Sequence, residues 1–388
     1  MTPGARVQAA ADLLDRVAAG EAAEKALTAW ARASRFAGSG DRAAVRDRVY
    51  QALRCWRSYA ALGGAETGRA RMIGALRAAG TDPDQIFNGA GHAPAPLTAE
   101  EKSAGEAPSG ADACDLPDWL WAAFQTSLGG GAAQAAAALQ HRAAVMLRVD
   151  LGRTSREEAV RLLAECNISS EPHPIAKTAL IVTDGARRVA LSAPYLSGLV
   201  ELQDGSGQAA MEAIEVSHAR SILDYCAGGG GKALALAART DASIYAHDID
   251  PGRMADLPKR AERARANITC LETSDLGAKS PYSLVLCDAP CSGSGTWRRA
   301  PEAKWRLTPE RLAALTEIQS GILKDASQLV AQNGRLIYAT CSVLRAENED
   351  IIDRFLAFMP AWTCTLMQRY DISDGGDGFF AAHLARKG

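Results

Sequence analysis

Asp288 and Cys291 lie three residues apart, just past the apolar run Leu284-Val285-Leu286-Cys287, where the chain turns into Ala289-Pro290-Cys291-Ser292-Gly293-Ser294-Gly295. That pattern predicts a buried strand ending in a loop. At the carboxyl edge of an open α/β sheet, where ligands collect, such a pair is a proton-transfer group beside a potential nucleophile. A second thiol, Cys341, follows a second apolar run, Leu336-Ile337-Tyr338-Ala339-Thr340. If the two strands are neighbours, both thiols share one cleft with Asp288 and Lys232. Lys232 ends a third stretch, Asp224-Tyr225-Cys226-Ala227-Gly228-Gly229-Gly230-Gly231-Lys232. Its four glycines let backbone N–H groups approach a ligand at a helix N-terminus. A P-loop needs Gly at 226 and Ser or Thr at 233; Cys226 and Ala233 stand there instead. Gly228-x-Gly230 followed by Ala233 loosely fits a dinucleotide fingerprint, with Asp248 or Asp250 about twenty residues on for ribose hydroxyls. The same loop-plus-acid arrangement also serves S-adenosylmethionine.

These groups need a scaffold, and from Ser221 onward strands and helices alternate. Strands are predicted at 222–225, 243–246, 268–271, 284–288 and 336–340, and helices at 233–239, 253–266, 309–332 and 347–358. Alternation of this kind predicts a doubly wound parallel sheet. Upstream, 145–149 reads as a strand and 155–165 as a helix capped by Ser155. The segments 179–183 and 189–191 read as short strands about an Asp184-Gly185 turn. That is a small α/β module carrying no chemical constellation of its own.

The first 135 residues read as a helical bundle, with helices at 7–19, 22–33, after Ser39-Gly40-Asp41, 68–79 and 117–128. Val7, Leu13, Leu14 and Val17 form one stripe. Residues 89–113, rich in Gly, Ala, Pro and Ser, read as a mobile loop. Residues 1–60 hold ten Lys/Arg against six Asp/Glu, a local excess that suits phosphate contacts. Over the 388 residues the net charge is −2, so only a local patch could supply them. No run of 18 uncharged apolar residues occurs, and Met1 to Gly20 lacks a signal-peptide core, so a cytoplasmic protein without a membrane partner is expected. The nine cysteines form no CxxC pair, which argues against a zinc ribbon, and no metal is expected.

The glycine loop ending in Gly-Gly-Lys, the Asp288-to-Gly295 stretch, and Ala339-Thr340-Cys341-Ser342 followed by Glu347-Asn348-Glu349 together resemble the RNA cytosine-5 methyltransferases. The resemblance covers 215–388, including Gly375-Gly376-Asp377-Gly378-Phe379-Phe380. The stretch Phe36-Ala37-Gly38-Ser39-Gly40-Asp41-Arg42 resembles a NusB-type helical domain. What this implies is an all-α NusB-like RNA-binding domain over 1–135, a small α/β linker module over 136–214, and a Rossmann-like methyltransferase domain over 215–388. The implied reaction moves a methyl group from S-adenosylmethionine to C5 of a cytosine in ribosomal RNA. The implied substrate is 16S RNA, naked or in an early assembly intermediate, and a monomer is expected.

By the same resemblance Cys341 is the nucleophile at C6, Asp288 acts at N3, Lys232 contacts the base region and Cys291 assists release. The cofactor would be held by Cys226, Ala227, Gly228, Gly229, Gly230, Gly231 and Lys232. Asp248 would hold its ribose, with Asp250 competing, Asp275 the adenine side, and Asp288 the methionine end. The family carries Pro where this chain has Gly229. Arg298, Arg299, Lys304 and Arg306, interleaved with Trp297 and Trp305, could grip RNA phosphates and stack bases, or pack in a core. Three alternatives stay open: another RNA such as tRNA, a non-catalytic RNA-binding assembly factor, and a nicotinamide dehydrogenase. The last leaves both thiols idle. A DNA cytosine methyltransferase would follow its Pro-Cys with Gln, where Ser292 stands here, and an amino-group methyltransferase would want Asn-Pro-Pro-Tyr.

Overall fold

A computed structural model describes residues 1–373 and 375–387. The chain forms two compact units, Met1–Arg142 with Trp297–Arg306, and Ala143–Thr296 with the chain from Leu307 onward. The expected break between 135 and 136 falls inside the helix Ala132–Leu139, and the first unit runs on to Arg142. The small module lies in the same compact unit as the larger sheet.

The first unit is helical. Helix Pro3–Ala18 starts on Thr2, whose side chain accepts the Ala5 N–H, with Pro3 in its first turn. Helices Ala23–Ala33, Ser39–Arg54, Trp56–Gly63 and Gly68–Ala78 follow. Val7, Leu13 and Leu14 pack with Leu27, Val45, Val49, Leu53 and Ile73 in its core. The stretch 89–113 is more ordered than its composition predicts. It carries helices Ala99–Ser103 and Gly110–Ala113, and Arg69 and Arg77 tie it to helix Gly68–Ala78 through Glu101 and the Ala104 carbonyl.

Five of the ten cations of residues 1–60 are engaged within this unit. Arg6 pairs with Asp41, Arg16 with Glu21, Arg46 with Glu24, and Arg57 with Asp112 and Asp118. Arg54 is buried, whereas Arg32, Arg35 and Arg42 are exposed beside Phe36, itself 75% exposed.

The segment 297–306 also belongs here, and of its two readings Trp297, Arg298, Lys304 and Trp305 take the packed one. Trp297 stacks on Phe124 at 5.9 Å between ring centroids. Lys304, 1% exposed, donates to the Arg54 carbonyl at 2.8 Å, and the Trp305 indole to the Leu53 carbonyl at 2.7 Å. Arg298 is buried and receives Arg54 Nε on its carbonyl at 2.8 Å. These side chains are core and anchor groups. Arg299 and Arg306 alone of the four cations stay exposed.

The second unit holds two sheets. In the module, β1 (Val145–Val149), β2 (Ser169–Pro172), β3 (Ala179–Asp184) and β4 (Val200–Leu202) lie in the order β2-β3-β1-β4, all antiparallel. Helix Arg156–Glu165 starts on the expected Ser155 cap. The strand expected at 189–191 is instead a tight helical turn, Ala186–Leu191. Pro194 opens another helix directly behind it, and of the three residues Val189 is buried while Leu191 is 81% exposed.

The larger sheet contains β5 (Ser221–Asp224), β6 (Ser243–Ala246), β7 (Ile268–Cys270), β8 (Tyr282–Asp288), β9 (Val330–Thr340), β10 (Trp362–Tyr370) and β11 (Phe379–Arg386). Their order is β10-β11-β9-β8-β5-β6-β7. The strands β5 to β9 pair in parallel, as expected, and β11 and β10 close the edge antiparallel. The chain moves outward from β5 through β6 to β7, then returns to β8 on the other side. The β5/β8 junction is therefore the switch point, where an open α/β sheet leaves a crevice for ligands. Leu223, Val285, Leu336 and Phe380 fill one face of this sheet, and Ile222, Leu284, Ile337 and Ala381 the other.

Candidate active site

Strands β8 and β9 run side by side with Leu286 opposite Ile337 and Asp288 opposite Ala339. Their loops therefore leave the same edge together, and the two thiols meet: Cys291 Sγ and Cys341 Sγ are 3.4 Å apart. The loops are laced to each other. The Gly295 N–H donates to the Cys341 carbonyl at 2.9 Å, and the Val343 N–H to Ser294 Oγ at 2.9 Å. Gly295 has to be glycine, because a Cβ there would lie 2.1 Å from the Gly378 carbonyl oxygen.

Beneath the thiols lies Glu347, which is 0% exposed. Its Oε1 accepts the Ser292 N–H at 2.7 Å and Gln319 Nε2 at 3.1 Å. Its Oε2 accepts the hydroxyls of Ser292 and Ser342, each at 2.5 Å. One carboxylate thus holds the residue after each cysteine. Asn348 completes the frame, donating to the Ser342 carbonyl at 2.9 Å and accepting from Thr340 Oγ1 at 2.6 Å.

Lys232 extends from the end of the glycine loop and pairs with Asp288. Its ammonium also sits 5.3 Å from the centre of the Phe379 ring. Burial opposes the charge on Lys232, but the Asp288 carboxylate outweighs it and raises the lysine pKa. The two thiols are driven apart. The hydrogen bond from Cys291 lowers the Cys341 pKa, and Lys232 acts the same way against burial and the Asp288 charge. The same bond and burial push Cys291 well up. Cys341 is thus the thiol disposed to ionise, with Cys291 as its proton-bearing neighbour. Cys226 and Cys287 are raised by burial and lie outside this pair.

The glycine loop connects β5 to helix Gly231–Ala237, with Gly228 and Gly230 in the left-handed region. Ala227 bonds through its N–H to the His247 carbonyl at 2.8 Å and accepts the Gly230 N–H at 2.8 Å. Asp248 lies at the end of β6, 2% exposed, and accepts the Gly228 N–H and Arg253 Nη1, both at 3.0 Å, on one oxygen. Its other oxygen takes the Asp250 N–H at 3.0 Å and keeps a further lone pair. Asp250 is exposed and caps its own turn through the Gly252 N–H at 3.0 Å. Asp275 is exposed on the turn after β7.

The structure thus brings Cys226 to Lys232, Asp248, Asp275, Asp288, Cys291 and Cys341 to one edge of one sheet. It adds four residues to which the sequence alone assigns no role. Glu347 and Asn348 were visible only as part of the resembling motif. His247, 2% exposed, bridges the Tyr225 carbonyl at 2.8 Å and Thr273 Oγ1 at 2.9 Å, joining the ends of β5 and β6 to the Asp275 turn. The fourth is Asp224, 1% exposed, whose pKa is pushed up to about 7 by burial and then by the nearby Asp288 charge.

The switch point, its glycine loop and the acidic residues past successive strands define a Rossmann-like methyltransferase fold. Residues 211–385 match the 16S rRNA methyltransferase RsmB/F family, and residues 116–188 match the ferredoxin-like domain of RsmF/B-like methyltransferases. The chain belongs to the RsmB/F family. It is 31% identical over 287 residues to the ribosomal RNA small subunit methyltransferase B of Yersinia pestis, covering 70% of this chain. The same identity and coverage hold for that of Yersinia pseudotuberculosis. The aligned part spans 66% of the length of these relatives. Among solved structures, PH0851 superposes over 100% of this chain and 99% of its own, with a TM-score of 0.74 at 20% identity. A methyltransferase homologue from Pyrococcus horikoshii superposes over 71% of this chain and 96% of its own, with a TM-score of 0.61 at 21% identity.

Proposed function

We propose that this chain methylates C5 of a cytosine in ribosomal RNA, with 16S RNA as the substrate class, using S-adenosylmethionine. The observation that carries the reading is the thiol pair at 3.4 Å on neighbouring parallel strands, beside the Lys232–Asp288 ion pair. C5 of cytosine is too weak a nucleophile to take a methyl group unaided. The Cys341 thiolate adds to C6 and turns C5 into the nucleophilic end of an enamine. As C6 is attacked, N3 takes a proton through Asp288, which is resupplied by the paired Lys232 ammonium, and the adduct is stabilised. S-adenosylmethionine, when bound, supplies an electrophilic methyl group. Water then takes the C5 proton, the N3 proton returns to Asp288, and the C6–S bond breaks with its electron pair going to the Cys341 sulfur. Cys291 assists that departure, because its S–H hydrogen-bonds the Cys341 sulfur as negative charge returns to it.

The donor set fits this cofactor. The Gly231 and Lys232 N–H groups, in the first turn of helix Gly231–Ala237, would meet the carboxylate of the methionine end, the free lone pair of Asp248 suits a ribose hydroxyl, and Asp275 suits the adenine amino group. Asp288 suits the ammonium of the methionine end. The target base must leave its stack to reach the thiols, so single-stranded or opened RNA is the form bound. The test is bisulfite sequencing of 16S RNA after incubation of the protein with deproteinised ribosomal RNA and S-adenosylmethionine. A single protected cytosine is the expected result, and unchanged conversion at every cytosine, on naked RNA and on 30S particles alike, overturns the reading.

A further inference from the structure

Two carbonyls of the glycine loop are held from outside it. Arg260, on helix Leu257–Ala264, donates Nη1–H to the Gly229 carbonyl. Arg148, on β1 of the small module, donates to the Gly231 carbonyl at 3.0 Å and to Gln203 at 3.0 Å. Glu201, on β4, is 7% exposed and pairs with Arg260 at 3.5 Å and Arg263 at 2.6 Å. The module therefore reaches the loop twice, directly through Arg148 and indirectly through Glu201 and Arg260. The loop also lies flat on the helix that carries Arg260: a Cβ at Gly230, where φ is +76°, would sit 2.1 Å from Leu257 Cδ1.

We infer that the small α/β module is a positioning device for the cofactor loop, and that Arg260, steadied by Glu201, is its latch. The inference rests on the reading of that loop as the S-adenosylmethionine site. Its physical need comes from Gly229, which loses more backbone entropy on ordering than any other residue would. Because the Gly230 N–H is bonded to the Ala227 carbonyl at 2.8 Å, the Arg260 contact on Gly229 O fixes both polar groups of one peptide unit. A side chain at 229 would compete for the same space, since a Cβ there would lie 2.9 Å from Arg260 Nη1. A proline at 229 would restrict φ covalently and do part of the latch's work without the guanidinium.

The test uses the full chain and S-adenosylhomocysteine as the calorimetric probe. Arg260→Met leaves Glu201 paired with Arg263, so no buried charge is stranded. It should weaken binding about tenfold, the scale of one charged hydrogen bond. Adding Gly229→Pro to Arg260→Met should recover much of that loss, while Gly229→Pro alone should give no gain because the ring displaces the guanidinium. Without ligand, the Gly230 amide should exchange its hydrogen faster in Arg260→Met than in the parent. Glu201→Gln should reproduce both effects more weakly. Binding by Arg260→Met within twofold of the parent, with unchanged exchange at Gly230, overturns the latch. Failure of the parent itself to bind S-adenosylhomocysteine overturns the cofactor reading instead, and the exchange comparison still decides whether Arg260 orders the loop.

Discussion

Glu347 should be the residue on which the thiol geometry depends most, and a graded pair of substitutions tests this. In Glu347→Gln one oxygen can remain on the Ser292 N–H and Gln319, while the new amide faces the two serine hydroxyls, which can rotate to accept. The loss is that of charge-assisted bonds becoming neutral ones, about 1–2 kcal/mol. In Glu347→Ala the hydroxyls can partly re-pair, because Ser342 Oγ already lies 2.9 Å from Ser294 Oγ. The Ser292 N–H cannot, at about 1–3 kcal/mol, whereas the Gln319 amide keeps the Pro290 carbonyl at 3.0 Å and loses one of its two bonds, with a small cavity in addition. The sum is about 3–5 kcal/mol of local stability. Hydrogen exchange in peptides spanning 286–296 and 338–348 reads it directly, as roughly tenfold faster opening for Gln and a hundredfold or more for Ala. Alkylation of Cys341 at fixed pH should change with it, as the Cys291 contact loosens. Exchange within twofold of the parent in both variants would refute the role.

Other consequences follow from the charges in the cleft. Iodoacetamide should modify Cys341 with a half-point below that of an ordinary thiol, and Cys291→Ala should move that half-point upward, because the largest cause of its lowering is the Cys291 hydrogen bond. An unchanged profile in Cys291→Ala would remove that cause. Asp224 gives a pH signature of stability. Its pKa is raised by burial to about 7, so the unfolded chain ionises it first, and its contribution to stability falls as pH rises from about 4 to about 7. Asp224→Asn should therefore gain on the parent through that window, by up to a few kcal/mol, in denaturant titrations at each pH. A gap that stays flat with pH would show that Asp224 is ionised in the folded protein.

Much of the site was legible because its residues sit where strands turn into loops. The runs before Asp288 and Cys341 are apolar on both faces, as central parallel strands must be, so their ends were plain. That the two strands are neighbours was not in the sequence, and it is this pairing that makes two thiols into one site. Edge strands were the weakest part of the reading. Ser169-Ser170-Glu171-Pro172 has no apolar alternation, and β10 lies exposed along the sheet margin. The aromatic and basic run from Trp297 to Arg306 stays open between phosphate contact and packing in the sequence for a different reason. Composition cannot tell a cation that meets phosphate from one whose ammonium is buried on a carbonyl, as Lys304 is. Similarly, the local count of arginines in residues 1–60 did not reveal the acids they already serve. The role of Glu347 and His247 is not legible in the sequence because each ties together loops that meet only in the fold.

The central claim is that Cys341 attacks the base and Cys291 lets it go. The measurement is a denaturing gel of the parent, Cys291→Ala and Cys341→Ala after incubation with ribosomal RNA and S-adenosylmethionine, followed by mass mapping of any protein–RNA crosslink. Cys341→Ala should lose methyl transfer by about four orders of magnitude, as deletion of a nucleophile does, and give no crosslink. Cys291→Ala should accumulate a covalent band whose crosslink maps to Cys341. A covalent band from Cys341→Ala and none from Cys291→Ala would contradict the assignment and exchange the two roles.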